Sequence, residues 1–314
     1  MMTDLSCVEE LHAVTPTEML EPDAVRRHLR LLLAKEDSPR PSGYLATVQT
    51  QGMVASWRKR MAEWMLHTGK AFELSADTVE CAIHFMDVYL AALSVDKIVL
   101  QLVSMVAMYV ASKMHEPRPI LMEEMELLCQ HKYPRSEIIL MEKQLLHVLQ
   151  WRLNPATPVA FLRDLLTFES VPSIQVHLEE AAMELLEECA IDYEYQVFPS
   201  SVVAAAALEV VCATQFGCAS PLAAYALDTL GVDADAFKDC VARMMTLYAP
   251  ADVEPELASL AYEAKDDSVV ADDCKPRSAS PTSIDSPGRV EKKRRRDDDD
   301  DKEASPRKKQ RATA

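Results

Sequence analysis

Between Asp96 and Met114 the chain reads Ile98-Val99-Leu100, Leu102-Val103, Met105-Val106-Ala107-Met108 and Val110-Ala111, apolar on nearly every side of a helical wheel. Such a helix has no face to give to water, so it is expected at the centre of a bundle with other helices around it. Pro117 and Pro119 end it. Only 6 of 314 residues are Gly, while Leu, Ala, Met, Glu and Val abound, a balance that favours helices over tightly turned sheets.

Helical spacing recurs on both sides of this element. Pro22 opens a short helix with Val25, Leu29, Leu32 and Leu33 on one face, and the Ser38–Gly43 run breaks it. A helix is expected over about Val48 to His67, with Met53, Trp57, Met61, Trp64 and Met65 at helical spacing and Arg58, Lys59, Arg60 and Glu63 elsewhere. Another runs from about Asp77 to Leu90 with Ser75 as its cap. After the apolar helix come about Met122–Cys129 and Ser136–Leu149, which completes a set of five. Asn154-Pro155-Ala156-Thr157-Pro158 is a natural hinge. Five more patterns follow: about Val159–Leu166, Ile174–Ile191, Ser200–Ala213, Pro221–Leu230 and Ala234–Tyr248. Ala-rich Ser201–Leu208 holds the third place in its set, as Val99–Ala111 does in the first. The expected architecture is all-α: a disordered polar arm (1–20), a five-helix domain with a preceding helix (21–154), a second five-helix domain (155–250) and a disordered tail (251–314). The end of the tail, 264–314, has almost no apolar residues to offset the entropy of folding and is expected to be disordered.

Charge narrows the function. The formal net charge is −17. Residues 266–314 hold 13 basic and 12 acidic groups, leaving 20 basic and 38 acidic groups in the first 265. A body this acidic opposes direct nucleic-acid binding. The eight Cys form no Cys-x-x-Cys, and several lie in apolar runs, which reads as buried reduced thiols. The unbroken apolar stretch Val202–Leu208 is far short of the roughly 20 residues of a membrane span, and the first residues lack a basic-then-apolar leader pattern. No phosphate-cradling Gly loop, no nucleophile elbow and no His-Glu-x-x-His is present. His84 and His147 read as structural histidines. Catalytic residues, cofactors and metals are not expected.

Trp57-Arg58-Lys59-Arg60-Met61-Ala62-Glu63-Trp64-Met65-Leu66 resembles the first helix of a cyclin box. Leu100-Gln101-Leu102 leading into Val110-Ala111-Ser112-Lys113-Met114-His115-Glu116 is a second match. Leu140-Met141-Glu142-Lys143 leading into Leu149–Asn154 and Pro155, Thr157 and Pro158 is a third. Order and spacing follow the family over about residues 20–250, closest to the D-type cyclins. The resemblance implies two tandem cyclin boxes and a regulatory subunit, not an enzyme. It implies packing on the kinase helix that carries the catalytic Glu, turning it inward to complete the Lys–Glu ion pair that positions ATP phosphates. The family's Lys and Glu that bond the backbone ends of that kinase segment fall on Lys113 and Glu142. Val110, Met114, Glu116, Leu146 and Trp151 match neighbouring contact positions. By sequence alone, Lys113 suits a helix C-terminus and Glu142 an exposed helix face; the matched spacing favours the kinase role.

The family's substrate-docking patch falls on Trp57, Met61 and Trp64, with Arg60 where an aliphatic residue is usual; the alternative is that these three are core. Leu5-Ser6-Cys7-Val8-Glu9 matches the Leu-x-Cys-x-Glu motif by which D-type cyclins bind retinoblastoma-type pocket proteins. In an extended chain Leu5, Cys7 and Glu9 point one way. Lys292, Lys293, Arg294, Arg295 and Arg296, then Arg307, Lys308, Lys309 and Arg311, read as a bipartite nuclear address for an import receptor. Ser280, Ser286 and Ser305 each precede Pro and fit proline-directed phosphorylation. The expected protein is a nuclear, shuttling activator of a cyclin-dependent kinase at the G1/S step. Its rivals are a transcriptional cyclin and a general transcription factor of tandem cyclin fold.

Overall fold

Pro22 starts helix α1 (Pro22–Glu36), and Val25, Leu29 and Leu32 form its buried face as their spacing requires. The structure, a computed structural model, describes residues 22–36 and 41–247; the arm with Leu5, Cys7 and Glu9 and the tail with its serines and basic blocks lie outside the described residues. A single turn, α2 (Tyr44–Thr47), leads to α3 (Ala55–Ala71), α4 (Ala76–Ala92), α5 (Lys97–His115), α6 (Met122–Leu128) and α7 (Arg135–Val148). The helix expected from Val48 starts only at Ala55. Gly52 takes φ +80°, a left-handed conformation that interrupts the run, and Met53 is buried ahead of the helix, followed by extended Val54. Ser75 caps α4 through the Thr78 amide, and Asp96 caps α5 through the Ile98 and Val99 amides.

Helix α5 is central, as its composition dictates, and Leu102 to Met108 are all buried. By length and composition alone it could cross a membrane, but here α3, α4 and α7 pack on it. Gly69 of α3 is required where α3 meets α4, since a Cβ there would collide with Val79.

The second set comprises α8 (Pro158–Leu166), α9 (Pro172–Ile191), a 3₁₀ turn (Tyr193–Val197), α10 (Ser200–Val211) continued by a π-helical turn (Cys212–Phe216), α11 (Pro221–Leu230) and α12 (Ala234–Met244). Proline opens α8, α9 and α11 at the first turn, where its missing N–H costs nothing. Helix α10 is the centre of this set. Its small Ala204–Ala207 side chains are fully buried, and α8, α9, α11 and α12 pack around it.

Each set has its own core, and among the described residues no strand occurs. Helix α1 precedes the first set in sequence but is packed on the second: Val25, Leu29 and Leu32 share the core of Val159, Phe161 and Leu162. Of the six described cysteines, five are buried, and burial pushes the Cys81, Cys189, Cys212 and Cys240 thiols up, those of Cys212 and Cys240 to about 12, so they stay protonated.

The two sets are joined by polar bonds from α3 and α4. Arg58, expected away from the apolar stripe of its helix, is 0% exposed. Its Nε and Nη2 donate to the two carboxylate oxygens of fully buried Asp87, both at 2.8 Å. The Tyr44 hydroxyl donates to the same carboxylate at 2.7 Å. Arg58 Nη1 donates to the carbonyls of Ala190 and Ile191, at 3.0 and 2.9 Å, and so caps the C-terminus of α9 in the other set. Burial alone would lower the Arg58 pKa, but Asp87 more than reverses this and holds it charged. At the N-terminus of α8, Asp77 accepts from the Thr157 hydroxyl and pairs with Arg163, and the Val159 amide donates to Glu80.

Removing Asp87 leaves a buried guanidinium without its counter-charge. Asp87→Ala is expected to cost roughly 3–5 kcal/mol in chemical denaturation, and an apolar pair, Arg58→Met with Asp87→Leu, to regain most of that loss. An Asp87→Ala protein with wild-type stability would overturn the assignment.

Candidate functional site

On α7, Ile138, Met141 and Leu145 turn into the core at helical spacing. The adjoining stripe, Ile139, Glu142 and Leu146, is therefore carried to the edge of the core, beside α5. On α5 the buried stretch ends at Ser112, and Lys113 and Met114, which follow it, are exposed. Because α5 and α7 pack side by side, Lys113 meets Glu142 in an ion pair across them. The Lys113 ammonium also sits 4.0 Å from the centre of the Tyr109 ring, one turn back on its own helix. The pair is only partly shielded, with side-chain exposures of 35% and 19%, so it adds little to stability.

The same elements also expose apolar side chains. Met114 is 53% exposed, Leu140 56% and Ile139 38%. Trp151 is 71% exposed. It follows α7 with φ +60°, and its neighbour Gln150 has φ +51°. Two successive left-handed residues that are not Gly cost on the order of 1–2 kcal/mol each, a strain more common at working surfaces than in plain turns. The Trp151 amide donates back to the Leu146 carbonyl at 3.2 Å, which closes the helix end and fixes the indole outside. Past the end of α7 a large aromatic is held in water by left-handed backbone, and nearer the ion pair Met114 and Ile139 are exposed; exposed apolar side chains beside an oriented ion pair suit a partner.

The expected contact residues divide. Lys113, Glu142, Met114, Leu146 and Trp151 lie on this surface or at its edge. Val110 does not: at 2% exposure it is core, because an almost wholly apolar helix gives no signal of which side faces out. Glu116 is engaged inside the chain, accepting from the Ser75 amide at 2.7 Å and the Thr78 hydroxyl at 2.5 Å at the start of α4. Burial raises its pKa, but these bonds outweigh it and hold the carboxyl below its ordinary value. Trp57, Met61 and Trp64 are half-buried along the edge of the first core, with Lys97 Nζ 5.8 Å from the Trp57 ring centre and Arg60 in water. The Arg58–Asp87–Tyr44 network was not legible in the sequence as a unit, although Arg58, Ala62, Met65 and Gly69 form one helical stripe that marks it in retrospect.

Residues 28–154 match the family described as "Cyclin, N-terminal domain", and residues 156–264 match "Cyclin, C-terminal domain". The G1/S-specific cyclin-D1 of Homo sapiens is 31% identical over 211 residues, covering 66% of this chain and 69% of that protein. Cyclin-A3-1 of Oryza sativa subsp. japonica is 26% identical over 221 residues, covering 69% of this chain and 58% of that protein. The solved structure of a viral cyclin from herpesvirus saimiri superposes with a TM-score of 0.57 at 18% identity, over 78% of this chain and 99% of that one, which supports the fold. The boundary between the two family matches falls at residue 155, in the linker between α7 and α8 where one core gives way to the other. With both helical sets matched in order, the chain belongs to the cyclin family, whose members are regulatory subunits and not themselves enzymes.

Proposed function

We propose that this cyclin is of the D type: it binds and activates a cyclin-dependent serine/threonine kinase to promote G1/S progression, with a retinoblastoma-type pocket protein as target. The observation that carries the kinase reading is the Lys113–Glu142 pair with exposed Met114 beside Lys113 and exposed Ile139 one turn before Glu142. A kinase helix laid on that surface buries the apolar residues. Its terminal amides and carbonyls find a carboxylate and an ammonium already in place. The cyclin supplies no reacting group; it contributes binding energy to the kinase conformation in which the catalytic Glu is turned inward. The D-type reading is supported by Leu5, Cys7 and Glu9 in the N-terminal arm and by the likeness to cyclin-D1. The acidic body argues against a DNA-gripping role.

Exchanging the charges, Lys113→Glu with Glu142→Lys, keeps the internal ion pair and inverts what the kinase meets. Helix content and melting temperature are expected to stay close to wild type. Affinity for the kinase that co-purifies with the chain is expected to fall by about 2–5 kcal/mol, roughly thirtyfold or more. Wild-type affinity in a calorimetric titration of the double variant would sink the interface.

A peptide of residues 1–15 is expected to bind a retinoblastoma-type pocket domain saturably, with Cys7→Ala and Glu9→Ala each weakening it at least tenfold on the scale of a lost buried or charge-assisted contact. Absence of saturable binding by the wild-type peptide makes the motif match a coincidence.

The two basic blocks of the tail are proposed to deliver the protein to the nucleus through an import receptor, with shuttling back to the cytoplasm. Phosphorylation at Ser305 adds about −1.5 to −2 charges two residues before Arg307 and is expected to weaken import; at Ser280 and Ser286 it is expected to mark the protein for degradation. A fluorescent fusion ending at residue 263 that is as nuclear and as short-lived as the full chain would contradict both roles.

A further inference from the structure

A cleft of about 590 Å³ opens between the two helical sets, walled by α4, the linker from Trp151 to Pro158, α9 and the start of α10. Its volume lies in the range, roughly 300–1,000 Å³, of sites that enclose a small molecule. Ile83, Leu186 and Val203 give it apolar walls.

The polar groups in it differ in how well they are satisfied. Asp87 has both oxygens taken by Arg58 and Tyr44. Glu80 accepts one long bond, 3.4 Å from the Val159 amide. Tyr195, also in the lining, is 3% exposed, and its hydroxyl has no hydrogen-bond partner. The charged groups that act on Glu80 are Asp77 on its own helix, Arg163 on α8 and Glu187 on α9, and Glu187 is itself paired with Lys70 of α3 at 2.6 Å; Lys35 and Glu36 at the end of α1, His84 of α4 and Arg152 of the linker also line the cleft, so an incoming cation meets two basic groups there as well as Glu80 and Glu36. Burial, against the weak pull of the Val159 amide and with Asp77 adding repulsion, pushes the Glu80 carboxyl up to about 8. At neutral pH it therefore carries a proton that a bound cation would displace.

We propose that this cleft is a binding site for a small amphipathic cation, an ammonium or amidinium group on a flat apolar body. Glu80 takes the charge, and Ile83, Leu186 and Val203 take the body. On binding, the Glu80 carboxyl loses its proton to solvent and the resulting carboxylate pairs with the cation, so charge and atoms balance. The site rests on the fold and is independent of the kinase reading. Affinity rises with pH up to about 8, because less free energy is spent on removing the proton.

The probe is benzamidinium, titrated into the full chain by calorimetry at pH 7 in two buffers of different ionisation heat. The expected result is saturable one-to-one binding with release of close to one proton. Neutral benzamide, of the same shape, is expected to bind about tenfold more weakly or worse. Glu80→Gln keeps the shape and removes the charge, and is expected to lose about tenfold in affinity together with the proton release. The two-buffer and benzamide measurements use the wild-type chain and stand even where the variant folds poorly. No saturable binding at millimolar probe, equal binding of benzamide, or binding without proton release would each overturn the proposal.

Discussion

Two charges with no exposed surface, Arg58 and Asp87, sit where the first helical set meets the second, and the arrangement of both sets depends on them. Taking such a pair out of water costs several kcal/mol per ion, and the attraction between them recovers this only when every donor and acceptor is used. Here they are used. The guanidinium grips the carboxylate with two parallel bonds, Tyr44 adds a third, and the remaining nitrogen reaches two carbonyls at the end of α9. Tyr193, just past that helix end, stacks edge-on to Tyr44 at 5.0 Å and lies 5.9 Å from the Arg58 guanidinium. The network contributes direction more than stability: an apolar core accepts many small rotations of one set on the other, whereas these bonds accept one.

The surface of the first set has its own support. The Lys113–Glu142 pair is half in water and adds little to folding, but its two helices are held by a core in which α5 is buried along most of its length. The side chains of this surface are thus presented at set distances without being needed for the fold. Gln49 adds to this rigidity. Its carboxamide donates to the Leu90 and Leu93 carbonyls at 2.5 and 2.7 Å and accepts from the Val95 amide at 3.0 Å, sealing the turn that delivers the chain from α4 into α5. A partner that docks here meets a preformed surface and has little ordering entropy to overcome.

What the sequence revealed and what it hid have physical reasons. The two central helices were legible because an all-round apolar run has one place to go, and the cap Ser75 because a side-chain oxygen before a helix satisfies amides that nothing else reaches. Arg58 was hidden by its neighbours Lys59 and Arg60, which do face water. The choice between the stripes 57–61–64 and 58–62–65 is decided by Asp87, on another helix, and no local pattern carries that. The packing of α1 was hidden for a related reason. Val25, Leu29 and Leu32 announce a buried face, but a stripe states that it is covered and not by what. Val110 was misplaced by the same feature that made α5 easy to find, and Glu116 because a carboxylate that caps a distant helix looks, in sequence, like one that waits for a partner.

The joint between the sets has a pattern of its own along α4. Asp77, Glu80 and Asp87 stand at i, i+3 and i+10, with His84 filling i+7, which is one continuous side of the helix, and that side faces the second set. Asp77 meets the N-terminus of α8, where the helix dipole and free amides favour negative charge, Glu80 accepts from the Val159 amide there, and Asp87 holds Arg58 of α3 against the C-terminus of α9. Helices α4 and α3 thus answer the two opposite helix ends of the second set, Asp77 at one and Arg58 at the other. The joint also has an apolar part: Ala190, Ile191 and Tyr193 at the end of α9 pack on the first core, and Ala76 of α4 on the second. Helix α4 is left carrying an acidic stripe beside open space, and of the three acids only Glu80, with its single long bond, retains capacity for a charge brought in from outside.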